Sequence, residues 1–272
     1  MNKTIILALL FVFPHLGCSG DGHSEELINK EKVKSLQGDF KLFESTELEK
    51  LALFVQNEDV KKIRKYINDH EVNLDLQESK FDYTLLALAV ENLKYESVKT
   101  LLELGADLSL RNYNHFTPLL ISCQTTLVTN CNDRMIKLLL ENGADPNDMK
   151  DFEGEVEPGT YVRIKSTALM YACQWGCLDA VKSLIAHGAN IDQYTYYEGY
   201  GAITTSIIHK NLEITKYLIV DCNAKIPDYC YIRNETDSLT IIDFLNEKKF
   251  KESSENQIYK EQIIDFIRDK SN

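Results

Sequence analysis

Seven cysteines and six histidines are the side chains in this chain best suited to hold a metal or to attack a substrate. The cysteines are Cys18, Cys123, Cys131, Cys173, Cys177, Cys222 and Cys230. Cys173 and Cys177 stand close in sequence, but no second Cys or His pair completes a zinc site. His15, His23, His70, His115, His187 and His209 never pair at ligand spacing. No Gly-x-Ser-x-Gly elbow, phosphate-cradling glycine loop or His-Glu-x-x-His helix is present. Carboxylates are plentiful but scattered, as on solvated helix faces. Cys222 and Cys230 flank a short loop and are the candidates for a disulfide. The expectation is therefore no catalytic residue, no metal and no cofactor: not an enzyme.

The elements that would position any site must come from a chain of 272 residues with formal net charge −12, 44% apolar and 26% charged. That balance belongs to a globular protein and is too apolar for a disordered one. With 5 Pro and 12 Gly it lacks the turn punctuation of an all-β sandwich. The acidic balance argues against nucleic acid, whose phosphates need clustered Lys and Arg. It argues equally against docking on anionic lipid through basic patches.

The first residues form a separate segment. After Lys3, Ile5 to Phe13 run apolar without a break, and Pro14 and Gly17 end the run before polar Ser19 to Gly22. A short basic start, an apolar core and a small residue before the cut make residues 1–17 a signal peptide. Gly17-Cys18 resembles the lipobox of bacterial lipoproteins, whose cysteine is lipidated and becomes the new N-terminus. His15 stands where that family has an apolar residue, so ordinary signal-peptidase cleavage stays open. The resemblance implies a lipid on Cys18 and a place in the bacterial cell envelope, facing the periplasm or the outside. A secreted or soluble periplasmic protein is the alternative. Loss of Lys3 takes the mature charge to −13. Residues 18–44 read as a polar tether, because Glu25 to Lys34 carries charge almost all round.

From residue 45 to 272 the chain repeats. Thr84-Leu85-Leu86-Ala87-Leu88-Ala89 recurs as Thr117-Pro118-Leu119-Leu120-Ile121-Ser122 and as Thr167-Ala168-Leu169-Met170-Tyr171-Ala172. Each copy leads to an amphipathic stretch such as Ser97-Val98-Lys99-Thr100-Leu101-Leu102, then stops at Gly105-Ala106-Asp107, Gly143-Ala144-Asp145 or Gly188-Ala189-Asn190. The threonines are N-caps, Pro118 suits a first helical turn, and the glycines end second helices. Each unit is thus two antiparallel helices that must stack on copies of itself. Thr46 and Glu49 offer a capping box to an upstream unit. Weaker downstream units start near Ala202 and Thr240, making six units with caps.

These motifs resemble the ankyrin repeat. The resemblance implies an all-α solenoid of stacked helix pairs with projecting β-turn or hairpin loops, and protein binding through those loops. The consensus His is absent, replaced by Ala87, Leu120, Met170, Thr204 and Asp243. In the fifth unit Cys222 or Asn223 takes the place of the glycine. Cys123 and Cys173 share a repeat position that the consensus fills with a small buried residue. Two insertions interrupt the period. One lies near Thr125 to Cys131; the other, Phe152 to Ile164, alternates around Pro158-Gly159 and reads as a hairpin finger.

The loops between units are aromatic: Tyr113 and His115, then Phe152 and Tyr161, then Tyr194, Tyr196, Tyr197 and Tyr200. Tyrosine gives large contact area at low rotamer cost, so these residues are the partner-binding candidates. Stiffening of neighbouring fingers by the same rings is the other reading. The function expected is a monomeric, lipid-anchored scaffold or adaptor that binds another protein. An inhibitor or immunity protein that neutralises a partner enzyme or toxin is the alternative.

Overall fold

The computed structural model describes residues 38–125, 133–157, 160–195, 200–234, 237–247 and 254–271. The candidate lipid site Cys18 and most of the tether lie outside them. Among the described residues there are twelve α-helices in succession: α1 (Glu49–Gln56), α2 (Val60–Asp69), α3 (Leu85–Glu91), α4 (Tyr95–Glu103), α5 (Pro118–Thr125), α6 (Arg134–Glu141), α7 (Ala168–Trp175), α8 (Leu178–Ala186), α9 (Ala202–Ile208), α10 (Leu212–Lys216), α11 (Ile241–Glu247) and α12 (Glu255–Ser271). A π turn, Tyr217–Asp221, prolongs α10. Two hairpins join this set, β1 (Met149–Glu157) with β2 (Thr160–Thr167), and β3 (Tyr231–Asn234) with β4 (Asp237–Leu239). None of the described helices is long and apolar enough to cross a membrane.

The chain divides into two compact units. The first runs up to Ser122 and includes Glu141–Ala144; the second holds Cys123–Leu140 and everything from Asp145 onward. In each, the core lies between stacked helix pairs. Leu85, Leu88, Val98 and Leu101 are buried in the first, and Leu169, Val181, Leu184 and Ile207 in the second. Short first helices such as α3 are buried all round, from Leu85 to Val90.

The capping expected from the threonines is present. Ala87 N–H donates to Thr84 Oγ1 at 3.0 Å, Leu120 N–H to Thr117 at 3.4 Å and Met170 N–H to Thr167 at 3.2 Å. At the first unit the capping box is displaced: Leu48 N–H donates to Thr46 Oγ1, while Glu49 accepts from Ser45 N–H. Two residues at the missing His position reach back to a cap. Gly201 N–H donates to Thr204 Oγ1 at 2.7 Å, and Thr240 Oγ1 donates to Asp243 at 2.7 Å. Ala87, Leu120 and Met170 have no such group.

Gly105, Gly143 and Gly188 adopt φ of +91°, +94° and +96° at the ends of second helices. A Cβ there would meet nothing within 4 Å, so backbone conformation alone asks for glycine. In the fifth unit Asn223 takes this role with φ +53°, and Cys222 stays in the right-handed region. Of the insertion near Thr125 to Cys131, Thr125 ends α5 and the rest lies outside the described residues. The longer one forms β1 and β2, and β2 runs directly into the Thr167 cap of α7.

Candidate protein-binding surface

In the first unit two successive turns are built on side chains that grip their own backbone. The Glu78 carboxylate, 2% exposed, accepts from Lys80, Phe81 and Tyr83 N–H at 2.8, 2.8 and 3.2 Å. One repeat later Asn112 Oδ1 accepts from Asn114 and Phe116 N–H at 3.1 and 3.0 Å. The turns are tied together where Tyr113 N–H donates to the Phe81 carbonyl at 2.7 Å. His115 closes the second turn at φ +63° and is exposed. Tyr113 is 64% exposed, the largest exposure among the big apolar side chains described. Its ring sits on a fixed backbone with its face in water.

The second unit holds the finger. Its register pairs Met149 with Thr167, Asp151 with Lys165, Phe152 with Ile164, Glu153 with Arg163 and Glu155 with Tyr161. Phe152 is half-buried: a Cβ on Gly154 would come within 3.0 Å of its ring, and Lys150 Nζ stands 5.9 Å from the ring centre. Burial lowers the pKa of Lys150. The Phe152 ring therefore covers its own strand.

The base of the finger is fixed by Asn147. Its Oδ1 accepts from Asn190 N–H at 2.7 Å, and its Nδ2 donates to the Gly188 carbonyl at 3.1 Å. Asp75, two past Asn73, and Asp192, two past Asn190, make the equivalent of the first of these bonds, whereas Ser109, two past Gly105-Ala106-Asp107, donates back to Asp107. Asp75 accepts from Asp107 N–H at 2.8 Å, and Asp192 from Lys225 N–H at 2.9 Å. Sequence reading missed this ladder, although a polar residue recurring at one repeat position was its visible signal.

The tyrosine loop begins from that anchored turn. Tyr194 and Gly201 form an isolated antiparallel bridge, and Thr195 N–H donates to the Tyr200 carbonyl at 2.9 Å. Tyr200 is half-buried with its hydroxyl bonded to Thr205, and burial raises its pKa. Tyr194 is half-buried, and burial with the nearby Asp192 and Asp228 carboxylates raises its pKa as well. Tyr196 and Tyr197 lie outside the described residues. Of Tyr161, the structure fixes the strand position opposite Glu155. The candidates thus divide: Tyr113 and His115 share one exposed turn, whereas Phe152 and Tyr200 are engaged with their own unit.

The nucleophile candidates are committed to structure. Cys123 and Cys173 are fully buried free thiols, and burial pushes the Cys173 pKa strongly up. Cys222 and Cys230 are also free, and the candidate bridge between them is not formed. The Cys230 thiol donates instead to the Thr240 carbonyl at 3.5 Å, and burial pushes its pKa up to about 12. Cys222 lies beside the Tyr217 hydroxyl. Ser183, Asp133 and His187 come together on the second helices, but in the wrong order for acyl transfer. Ser183 Oγ donates directly to Asp133 at 2.6 Å, and His187 Nδ1 faces the Ser183 carbonyl at 2.7 Å. Among the described residues no group of three His, Cys, Asp or Glu could hold a metal ion.

Comparison with known families agrees with this architecture. The family described as Ankyrin repeats (3 copies) matches residues 51–150 and 153–228, well over half of the chain. The chain belongs to the ankyrin-repeat family. Ankyrin repeats bind other proteins and are typically not catalytic. A rice protein (Oryza sativa subsp. japonica) described as a probable E3 ubiquitin-protein ligase, XBOS32, is 26% identical over 95 residues. The match covers 35% of this chain and 17% of that protein, so the chain spans about a sixth of its relative's length.

Proposed function

We propose that this ankyrin protein is a non-catalytic binding module of the bacterial cell envelope, anchored by a lipid on Cys18, that holds another protein through its loop edge. The observation that carries the reading is Tyr113, an exposed ring on a turn locked by Asn112 and Phe81. A rigid aromatic anchor enters an interface with little rotamer entropy left to lose. The test is capture of the partner by cross-linking in envelope extracts, followed by binding of the purified pair. Tyr113→Ala should weaken binding at least about tenfold, roughly 1.4 kcal/mol, with an unchanged melting temperature. Binding that survives the change removes this turn from the interface. Anchoring is tested separately: Cys18→Ala should release the protein from membranes and end labelling by palmitate.

The net charge favours a second reading, an inhibitor of a basic enzyme. A mature charge of −13 would draw such a partner in quickly. Loss of an inhibitor is toxic only while its target enzyme is present, and loss of a scaffold carries no such condition.

A further inference from the structure

α3 ends on a carboxyl group that the fold covers without satisfying. Glu91 is the last residue of α3, where the negative end of the helix dipole disfavours an anion. Its Oε2 is buried with no hydrogen-bond partner. Gly38 lies over it at φ +85°, and a Cβ there would stand 3.6 Å from Glu91 Cδ and 3.8 Å from each carboxyl oxygen. The neighbouring Asn92 holds Gly38 in place. Its Nδ2 donates to the Gly38 carbonyl at 2.8 Å and to the Leu88 carbonyl at 2.9 Å. Beyond Gly38 the chain forms a 3₁₀ turn, Phe40–Phe43, that packs on α1 and buries Phe40, Leu42 and Phe43. Gly38–Phe43 is thus a strap, seated at one end on a carboxyl group and at the other on a core.

Tyr83 is the titratable side chain that meets this carboxyl group, to which it is hydrogen-bonded. The other charged groups on the elements packed around α3 are directed elsewhere. Glu49 and Lys50 on α1 are exposed, as are Glu96, Lys99 and Glu103 on α4, and Lys41 and Glu44 in and after the 3₁₀ turn. The Glu78 carboxylate is taken up by three backbone N–H groups, and Asp39 accepts from Lys41 N–H. Burial raises the Glu91 pKa, and the Tyr83 bond lowers it by less.

We propose that Glu91 is a pH-operated latch for the strap: protonated, it seats Gly38; ionised, it lets Gly38 and Asp39 lift away while Phe40–Phe43 stay packed. A buried carboxylate must gain water or donors. Gly38 is the part of its surroundings that yields most easily, being half-buried, without a side chain, and held through the exposed Asn92 by one bond of small net worth. Pulling Phe40, Leu42 and Phe43 into water would cost more than the ionisation returns, so the opening stops at Asp39. The closed strap prefers the protonated acid. Closure is therefore complete below the ordinary glutamate range and is lost as pH rises through the raised value. Acidity then decides whether the tether segment meets the array at Gly38 or at Phe40. The latch depends on neither the protein-binding reading nor the lipid.

The test follows hydrogen exchange in the full mature chain, in detergent, from about pH 4 to about pH 8, corrected for the intrinsic rate. Lys41 and Leu42 N–H, which both bond to Asp39, report on the strap, and the N–H groups of α1 report on the array. Protection at Lys41 and Leu42 should fall at least threefold across the range while α1 is unchanged. Ionisation of Asp39 would act in the opposite sense, because its carboxylate accepts from Lys41 N–H. Glu91→Gln should abolish the fall and keep protection at its low-pH level. No fall in the parent, a fall that persists in Glu91→Gln, or an equal loss in α1 overturns the proposal. Should Glu91→Gln fail to fold, carbon-13 labelling of the glutamates in the unaltered chain decides. The Glu91 carboxyl carbon and the Gly38 amide must then titrate with one shared midpoint, and separate midpoints overturn the latch.

Discussion

Glu91 shows how one residue can set a pH dependence. Its Oε2 is buried with no hydrogen-bond partner, while Tyr83, 2% exposed, bonds the carboxyl group. Burial raises the Glu91 pKa and the Tyr83 bond only partly offsets it. The folded state therefore prefers the protonated acid. Its stabilising contribution is complete below the ordinary glutamate range and is lost as pH rises through the raised folded value. Replacing Glu91 with Gln should accordingly help more at high pH than at low. Melting curves should show the variant gaining on the parent between about pH 4 and about pH 8; a constant gap would mean that the carboxylate is hydrated in solution. The cysteines give a second residue-scale prediction. Of the five described, Cys222 is half-exposed and the other four are buried. Iodoacetamide should label Cys222 in the native protein and reach Cys123, Cys173, Cys177 and Cys230 only on unfolding. A Cys222–Cys230 link in unreduced peptide maps would show that the oxidised chain rearranges this region.

Elements are joined across repeats by side chains that bond the next turn. Asn147 makes two such bonds, to Asn190 N–H and the Gly188 carbonyl, and so carries the base of the finger. Asn147→Ala should cost about 1–3 kcal/mol in chemical denaturation and increase amide exchange at Asn190. Gly176 ends α7 at φ +76°, and a Cβ there would lie 2.8 Å from Asn211 Oδ1. That Asn211 side chain in turn donates to the Cys173 and Gln174 carbonyls at 2.7 and 3.0 Å. Gly176→Ala should therefore cost more than Gly105→Ala, which strains only the backbone. Thermal melts of the two variants check the order. The helix starts and stops were legible because Thr84, Thr167 and Gly188 act within a turn of their own position. The Asn147, Asp192 and Asn211 bonds were not, since each partner lies 33 to 43 residues away. The same range of action hid the fate of the aromatic candidates. Residue type marked Tyr113, Phe152 and Tyr200 alike, and only the packed neighbours separate the exposed ring from the two engaged ones.

The whole molecule is a repeat array, and an array has ends that must be closed. Leu53 is 52% exposed on α1, so the first helix pair leaves apolar surface in water. At the other end α12 lies against α10 and the π turn, burying Ile263, Ile264 and Ile267. Periodicity places this helix in the last unit but does not tell a cap from an interior repeat; burial does. The last turn of α12 is tied down as well, where Lys270 Nζ donates to Asn223 Oδ1 beside the left-handed turn. Three isoleucines removed from water are worth at least about 5 kcal/mol together. Ending the chain after Ser254 would expose the faces of α10 and the π turn that they cover. The shortened chain should lose about that much unfolding free energy in urea, and it should bind a hydrophobic dye that the full chain excludes. Loss of stability without dye binding would mean that the exposed faces collapse on each other. An unchanged urea midpoint would show that α12 is an appendage to an array already closed by α11.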